Sequence, residues 1–335
     1  MDSLTHIVLG ACIGEIFIGR KTGRRALLMG AAAQSLPDID FVTSFWMPAS
    51  DNLIAHRGVT HSILFVVLMT PLLSWLADKW RRPHDVAFKT WLLFFGSELF
   101  CHLALDTANA YGTGWLEPFS HQRFSYHTLF VADPLFSIVP GIATVLLVFF
   151  RRHRRRKHWA AFSIGWCAVY LGLSLSNKAI IEGEIASVTK AQNIQYHRHF
   201  TTPTPLNNLL WYVVLEDDKG YYTGYRSVFD DPRKQDLHYF PRNDSLLLPV
   251  KDLDELHQLL RFSQGYYTIE KRHDSLVFND LRFGQMNGWN DPNAGFVFHY
   301  FLKQPRSNDM VIQRGRFAGW NKAVILSMLR RIRGT

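Results

Sequence analysis

Apolar residues fall in long unbroken runs over the first half of the chain and in short alternating runs over the second. Four runs, about 62–78, 88–105, 133–150 and 158–176, approach the roughly 20 apolar residues a helix needs to cross a bilayer. Two earlier runs, about 4–19 and 26–36, are shorter and rich in small residues. Gly10 and Gly14 form a GxxxG, and Gly30 is followed by Ala31, Ala32 and Ala33. Small residues let helix backbones approach closely in lipid, so these two runs predict a packed helical hairpin that crosses the membrane in whole or in part. NKAIIEGEIASVTKAQNIQYHRHF (177–200) predicts a continuation of the last membrane helix, and PTPLNN (203–208) breaks it.

Beyond that break the period changes to two. LLWYVVLE and YYTGYRSVF around a DDKG turn predict a β-hairpin, and YYTIEKR, SLVFNDLRF and GFVFHYFLK predict further strands. DLDELHQLLRFSQG predicts a helix that starts on a capping box of Asp252 and Glu255 and stops at Gly265. FAGWNKAVILSMLRRIRG predicts a basic amphipathic helix, packed on the sheet or lying on anionic lipid. The fold class expected is an α-helical polytopic membrane domain of four long and two short membrane helices over 1–178. A helical linker follows over 179–202, then a small α+β domain over 203–335.

The net charge of +9 suggests nucleic acid until its placement is examined. RKTGRR (20–25) carries four Lys/Arg, KWRRPHDVAFK (79–89) four and RRHRRRK (151–157) six, whereas loops 37–61 and 106–128 carry only Arg57 and Arg123. The positive-inside rule assigns the rich loops to the cytoplasm and removes the need for a nucleic-acid partner. The same rule puts LPDID, HRGVTHS, HLALD, FSHQRF, His6 and the C-terminal domain on the extracytoplasmic side. No basic region precedes the first apolar run, so no cleavable signal peptide is expected. Cys12, Cys101 and Cys167 lie inside apolar runs without a CxxC and read as packed thiols.

Polar residues of one chemistry cluster at the helix ends on that side. His102 and Asp106 stand four apart, on one face of a helix, where both can reach one cation, and Glu98 extends the stripe by a turn. An ionisable residue inside a membrane segment is a functional candidate. HRGVTHS offers His56 and His61, with Arg57 between them, and LPDID offers Asp38 and Asp40 in a turn forced by Pro37. His6 lies in the first apolar run. Each motif alone also has an ordinary reading: a helix-gluing His–Asp pair, an interfacial basic anchor, turn aspartates, a buried histidine. Their convergence at one level favours a divalent-metal centre of zinc, manganese or iron, with one or two ions.

MDSLTHIVLGACIGE, LPDIDF, HRGVTHS, HLALDTANAYGT, EPFSHQRF and VADPLF together resemble the YdjM-like family of membrane-bound metal-dependent hydrolases. PTPLNNLLWYVV, FSQGYY and NDLRFG are similar to that family's C-terminal portion. The resemblance implies a helical core similar to zinc-dependent phospholipase C and a bacterial cytoplasmic (inner) membrane location. It also implies metal ligands at His6, Asp38, His61, His102 and Asp106, with Asp40 and His56 as further candidates. No later HxxxE completes the phospholipase set, so one or two ions are expected rather than three.

The activity expected is hydrolysis of a phosphoester or lipid-linked substrate by a metal-activated water at the membrane surface. Asp40 or Glu98 would serve as base. Arg57, and with it Arg123, would hold an oxyanion or phosphate, and Asp133 would orient a ligand histidine. The C-terminal domain would act as a lid or substrate-selection element. His197 and His199 read as exposed linker histidines. GxSxG, HExxH and P-loop motifs are absent from the sequence. A metal or ion transporter would place its ligands near the midplane on broken helices with internal repeats, which the sequence does not show. A non-catalytic scaffold would leave the His/Asp set without a role.

Overall fold

A computed structural model of the protein describes residues 1–80, 85–231, 236–250, 253–302 and 319–334. The chain divides into two compact units, Met1–Phe45 with Ala55–Leu173 and Trp46–Ile54 with Ser174–Thr335.

The first unit is helical. α1 (Ser3–Thr22) begins where the Asp2 side chain accepts from Thr5 N at 3.0 Å, and Gly23, at φ 61°, turns the chain into α2 (Arg24–Ser35). The small residues of this hairpin sit where the sequence pattern requires them. A Cβ on Gly30 would lie 2.0 Å from the Gly10 carbonyl oxygen, and one on Gly14 would lie 2.2 Å from that of Ala26. A 3-10 stretch (Pro37–Phe45) leads, through a short helix of the second unit, α3 (Ala49–Ala55), to α4 (Ile63–Trp80), α5 (Phe88–Thr107), α6 (Pro134–Phe149) and α7 (Arg156–Ala191), whose residues from Ser174 on belong to the second unit.

All six apolar runs form helices, but their lengths differ from expectation. Among the described residues α1, α4 and α7 are long and apolar enough to cross a membrane, and α6 is a shorter apolar helix of 16 residues. α2, at 12 residues, spans about 18 Å against a hydrocarbon core of about 30 Å. α5 has 20 residues, yet Lys89, Glu98 and Asp106 lower its apolar character. It is the central helix: Trp91, Phe94, Phe95, Leu99 and Leu103 are buried beside Glu98, His102 and Asp106. α4 instead leaves Val67, Leu68, Leu72 and Trp75 exposed, the surface a lipid-facing helix presents.

Asp133 caps α6. One of its oxygens accepts from Leu135 N (2.9 Å) and Phe136 N (3.4 Å), and the other accepts from Tyr170 OH at 2.7 Å. These bonds account for Asp133 as a cap and a tie to α7, in place of the expected support of a ligand histidine.

In the second unit, β1 (Arg198–Pro203), β2 (Leu210–Glu216), β3 (Gly220–Ser227) and β4 (His238–Pro241) form one antiparallel sheet. β5 (Tyr267–Arg272), β6 (Ser275–Gln285) and β7 (Phe296–Phe301) form another. The helical linker expected to residue 202 ends at Ala191, and β1 replaces its last part. The aromatic and β-branched residues of HFTT pair with β2, Phe200 opposite Val214 and Thr202 opposite Tyr212. β2 is buried on both faces. Leu210, Tyr212 and Val214 pack with Tyr221, Tyr225 and Leu281, while Trp211, Val213 and Leu215 pack on Ile181 and Ile185 of α7.

The DDKG turn closes through Asp217 Oδ1, which accepts from Gly220 N at 2.6 Å. α8 (Leu253–Phe262) stops before Gly265, at φ 81°. Asp252 of the expected capping box lies outside the described residues. The final helix, α9 (Lys322–Ile332), starts on Asn321, whose Oδ1 accepts from Val324 N. His197 is exposed and pairs with Asp218 at 2.8 Å. The three cysteines are free thiols, Cys12 and Cys167 buried and Cys101 partly so.

Candidate metal centre

Four side chains from three segments of the first unit converge. Asp38 comes from the 3-10 stretch after α2, His61 from the turn before α4, and His102 and Asp106 from adjacent turns of α5. His61 Nε2 stands 3.0 Å from His102 Nε2, 3.4 Å from Asp38 Oδ1 and 3.3 Å from Asp106 Oδ2. His102 Nε2 stands 3.6 Å from the same Asp38 oxygen and 3.7 Å from the same Asp106 oxygen. Donors about 2.0 Å from one ion at tetrahedral angles stand about 3.3 Å apart, so these separations suit a single divalent cation.

The hydrogen bonds behind the rings sharpen that fit. His102 Nδ1 donates to the Gln34 carbonyl oxygen at 2.5 Å, which leaves Nε2 of the neutral ring as a bare lone pair. Thr60 donates its hydroxyl proton to Asp40 Oδ2 at 2.8 Å. Its oxygen therefore accepts from His61 Nδ1 at 3.1 Å, and His61 Nε2 is bare as well. Two lone pairs and two carboxylate oxygens thus face one point. A proton satisfies one pair of these atoms, whereas a divalent cation satisfies all four.

The surrounding residues hold these donors in place. Asp106 Oδ1 contacts the Met1 amino group and His6 Nε2, the latter at 3.2 Å. His6, expected as a ligand, contributes no atom to the four-donor set; it stacks on His102, ring centroids 4.0 Å apart, and backs Asp106. Arg57, expected to bind phosphate, is buried. Its Nε lies 3.1 Å from Asp106 Oδ2, its Nη1 donates to Asn109 Oδ1 at 2.8 Å, and its guanidinium lies over the Tyr111 ring. Its backbone is left-handed at φ 63°, uncommon for a side chain of this size. Its N–H donates to Asp40 at 2.9 Å and its carbonyl accepts from Gly114 N at 2.9 Å, and these bonds keep the conformation. Arg123 donates to the carbonyls of His56 (3.2 Å) and Gly112 (3.0 Å), joining two loops in place of the expected phosphate contact.

Asp40, expected as ligand or base, is an acceptor hub. Oδ1 accepts from His56 Nδ1 at 2.8 Å, and Oδ2 accepts from Arg57 N and Thr60 and lies 3.3 Å from His61 Nδ1. Asp38, Asp40 and His56 also form a second close group of donors. Glu98 is fully buried one turn of α5 from His102. With the Gln34 amide nitrogen turned toward it, Glu98 Oε2 accepts at 2.8 Å. Glu98 therefore braces the segment whose carbonyl orients His102, and its complete burial sets it apart from the open side where a base would meet substrate. Gln34 and Asn109 escape the reading of motifs. Their only signals are a lone amide ending an alanine-rich helix and a polar DTANAY after HLALD.

Burial by itself would raise the pKa values of Asp38 and Asp40, making both weaker acids. When the metal-free rings take up a proton on Nε2, the hydrogen bond from His61 and the positive charges of His102 and His61 oppose burial more strongly at Asp38 and lower its pKa to about 2. The bonds from His56 and His61 hold Asp40 lower still. His56 is shifted down by burial, against the raising effect of Asp40. A carboxyl depressed in the folded state stabilises that state above its unfolded pKa, near 4, and loses the contribution as pH falls through its folded value. In metal-free protein, the stability advantage of wild type over Asp38→Asn is expected not to fall between pH 7 and 5. It should shrink below about pH 4, as read from denaturant midpoints in detergent.

Helices of membrane-crossing length around a buried His/Asp centre define an integral membrane protein with a candidate metal site. The chain belongs to the YdjM inner membrane protein family, whose profile matches residues 1–181. It is 32% identical over 123 residues to the inner membrane protein YbcI of Escherichia coli (strain K12), covering 36% of this chain and 69% of that one. It is 24% identical over 314 residues to the uncharacterized protein YfhP of Bacillus subtilis (strain 168), covering 84% of this chain and 87% of that one. No solved structure matches the chain. The family match ends within α7, so the two sheets lie outside it.

Proposed function

We propose that the protein is a metal-dependent hydrolase of the inner membrane, acting on a phosphoester of a lipid or lipid-linked substrate at the extracytoplasmic surface. The observation that carries this reading is the four-donor set with its bare lone pairs. Two imidazoles and two carboxylates suit zinc, manganese or iron, and the ion would need to take water as a further ligand beyond these four donors. A divalent ion bound there supplies Lewis acidity and makes water a nucleophile at neutral pH.

Of the four donors Asp38 alone has an accessible side chain, at 19%, against 0% for the other three, so substrate approaches from its side. Apolar residues border that side: Ile39, Phe41 and Phe45 on the Asp38 segment, and Val59 and Ile63 around His61, all exposed. Such a rim favours a substrate carrying acyl or prenyl chains over a small soluble ester. His56, 36% exposed, stands on this side. Its Nδ1 donates to Asp40, so Nε2 is free to accept a proton. We assign it the role of general base, with Asp40 fixing its tautomer.

The test is purified protein in detergent with labelled phospholipids, with and without chelator, and after metal is restored. Hydrolysis that stops with chelation and returns with zinc supports the reading; activity indifferent to chelation ends it. His56→Gln is expected to keep its metal while turnover falls by about 10²–10⁴-fold. Wild-type turnover in that variant removes His56 from the mechanism.

A further inference from the structure

α9 buries only one side of itself. Met328 is 5% exposed and packs in the core of the second unit with Ile332 beside it, Ser327 accepts from Trp289 Nε1 at 3.1 Å, and Arg331 pairs with Asp230 at 2.6 Å. At 3.6 residues per turn, Ile325, Leu329, Lys322, Arg333 and Leu326 fall together in an arc of about 100° on another side. Ile325, Leu326 and Leu329 are 42%, 42% and 45% exposed, and Lys322 and Arg333 are exposed among them. Residues 319–334 hold Lys322, Arg330, Arg331 and Arg333 and no acidic residue. Phe229, 63% exposed, adjoins the end of the helix, where Ser227 Oγ donates to the Ile332 carbonyl.

A helix face meant for water gains nothing from three exposed aliphatics, and a face meant for the core gains nothing from interleaved cations. Both together are the composition of a helix lying in the headgroup region, aliphatics toward the acyl chains and cations on lipid phosphates. We propose that α9, with Phe229, is a docking face for an anionic bilayer. The occupant follows from charge: Lys322, Arg330 and Arg333, beside the Arg331–Asp230 pair, complement phosphatidylglycerol-type headgroups, and the α1, α4 and α7 helices already place this chain in a membrane. The inference is independent of the hydrolase reading.

The test uses the full-length protein in nanodiscs of phosphatidylglycerol–phosphatidylcholine or of phosphatidylcholine alone. Spin labels are placed at 326, at 329 and, as a reference, at 218, where Asp218 is 86% exposed, after changing Cys12, Cys101 and Cys167 to Ala. Labels at 326 and 329 are expected to favour lipid-dissolved oxygen over an aqueous nickel chelate in the anionic discs, and the reference label the reverse. Each cation near an anionic surface is worth about fivefold in partition, so K322Q/R330Q/R333Q should weaken the lipid-bound state about a hundredfold. The same contrast must appear in unlabelled native-sequence protein as slower hydrogen exchange over 322–332 in anionic discs, which guards against a variant that fails to fold. Aqueous accessibility at 326 and 329 equal to that at 218 overturns the proposal. So does protection that is equal in both lipids and accompanied by short label–label distances, which would assign the face to a second copy.

Discussion

His61→Ala and Asp106→Asn are each expected to lose the bound metal, although the two residues come from different segments of the fold. Wild-type protein should retain at least one equivalent of divalent metal through purification, measured by elemental analysis against protein concentration. Each variant removes one of four donors whose mutual spacing suits one ion, so neither should retain a stoichiometric amount. Asp106→Asn has a second consequence. It leaves Arg57 buried against an uncharged partner, and breaking a buried charge pair costs about 3–5 kcal/mol, so this variant should also be the less stable of the two. His6→Ala gives the contrast, because its ring backs Asp106 without joining the donor set. Loss of such a support lowers affinity by about 10–100-fold, leaving a site that metal refills at higher concentration. Full metal retention in either His61→Ala or Asp106→Asn would mean the two side chains do not share an ion.

Gly30→Ala should damage the protein as severely as losing a ligand, by a different route. The added Cβ would lie 2.0 Å from the Gly10 carbonyl oxygen and 3.0 Å from Glu98 Oε1. Backbone cannot yield as a flexible side chain does, so α1 and α2 must separate. Overpacking of this kind costs about 1–3 kcal/mol or more. Separation also moves Gln34, at the end of α2, whose carbonyl fixes the His102 tautomer, and moves His6 on α1. Thermal unfolding should shift down and metal content should fall together. Gly141→Ala, where a Cβ meets nothing within 4 Å and the residue lies in α6, is the control and should be neutral or slightly stabilising. Unchanged stability and metal content in Gly30→Ala would show that the close crossing of α1 and α2 does not hold the centre.

Much of the fold, and part of the centre, is legible in the order of residues. The i,i+4 spacing of His102 and Asp106 puts both on one face of a helix wherever that helix lies. The glycine–alanine runs signal the close approach of α1 and α2, and period-two alternation signals β2, β3, β5, β6 and β7. Roles that depend on neighbours are not legible in this way. Asp40 has the chemistry of a ligand, yet Arg57 N, Thr60 and two histidines surround it and make it a hub. Arg57 has the fork that binds phosphate, but Asp106, Asn109 and Tyr111 occupy it. β1 is hidden because HFTT is too short to show a period and acquires strand character only beside β2.

Which segments become apolar helices, which become strands and which residue types stand at the helix ends are matters of local sequence. They follow from periodicity and from the cost of placing polar groups in hydrocarbon, both readable one segment at a time. Which of nine candidate polar residues meet as donors, and which stand behind them, is settled only by the packed chain. That choice turns on how closely α1 crosses α2 and on which ring nitrogen carries a hydrogen. Both are set by contacts between residues far apart in the chain, such as Gly10 with Gly30 and His102 with Gln34.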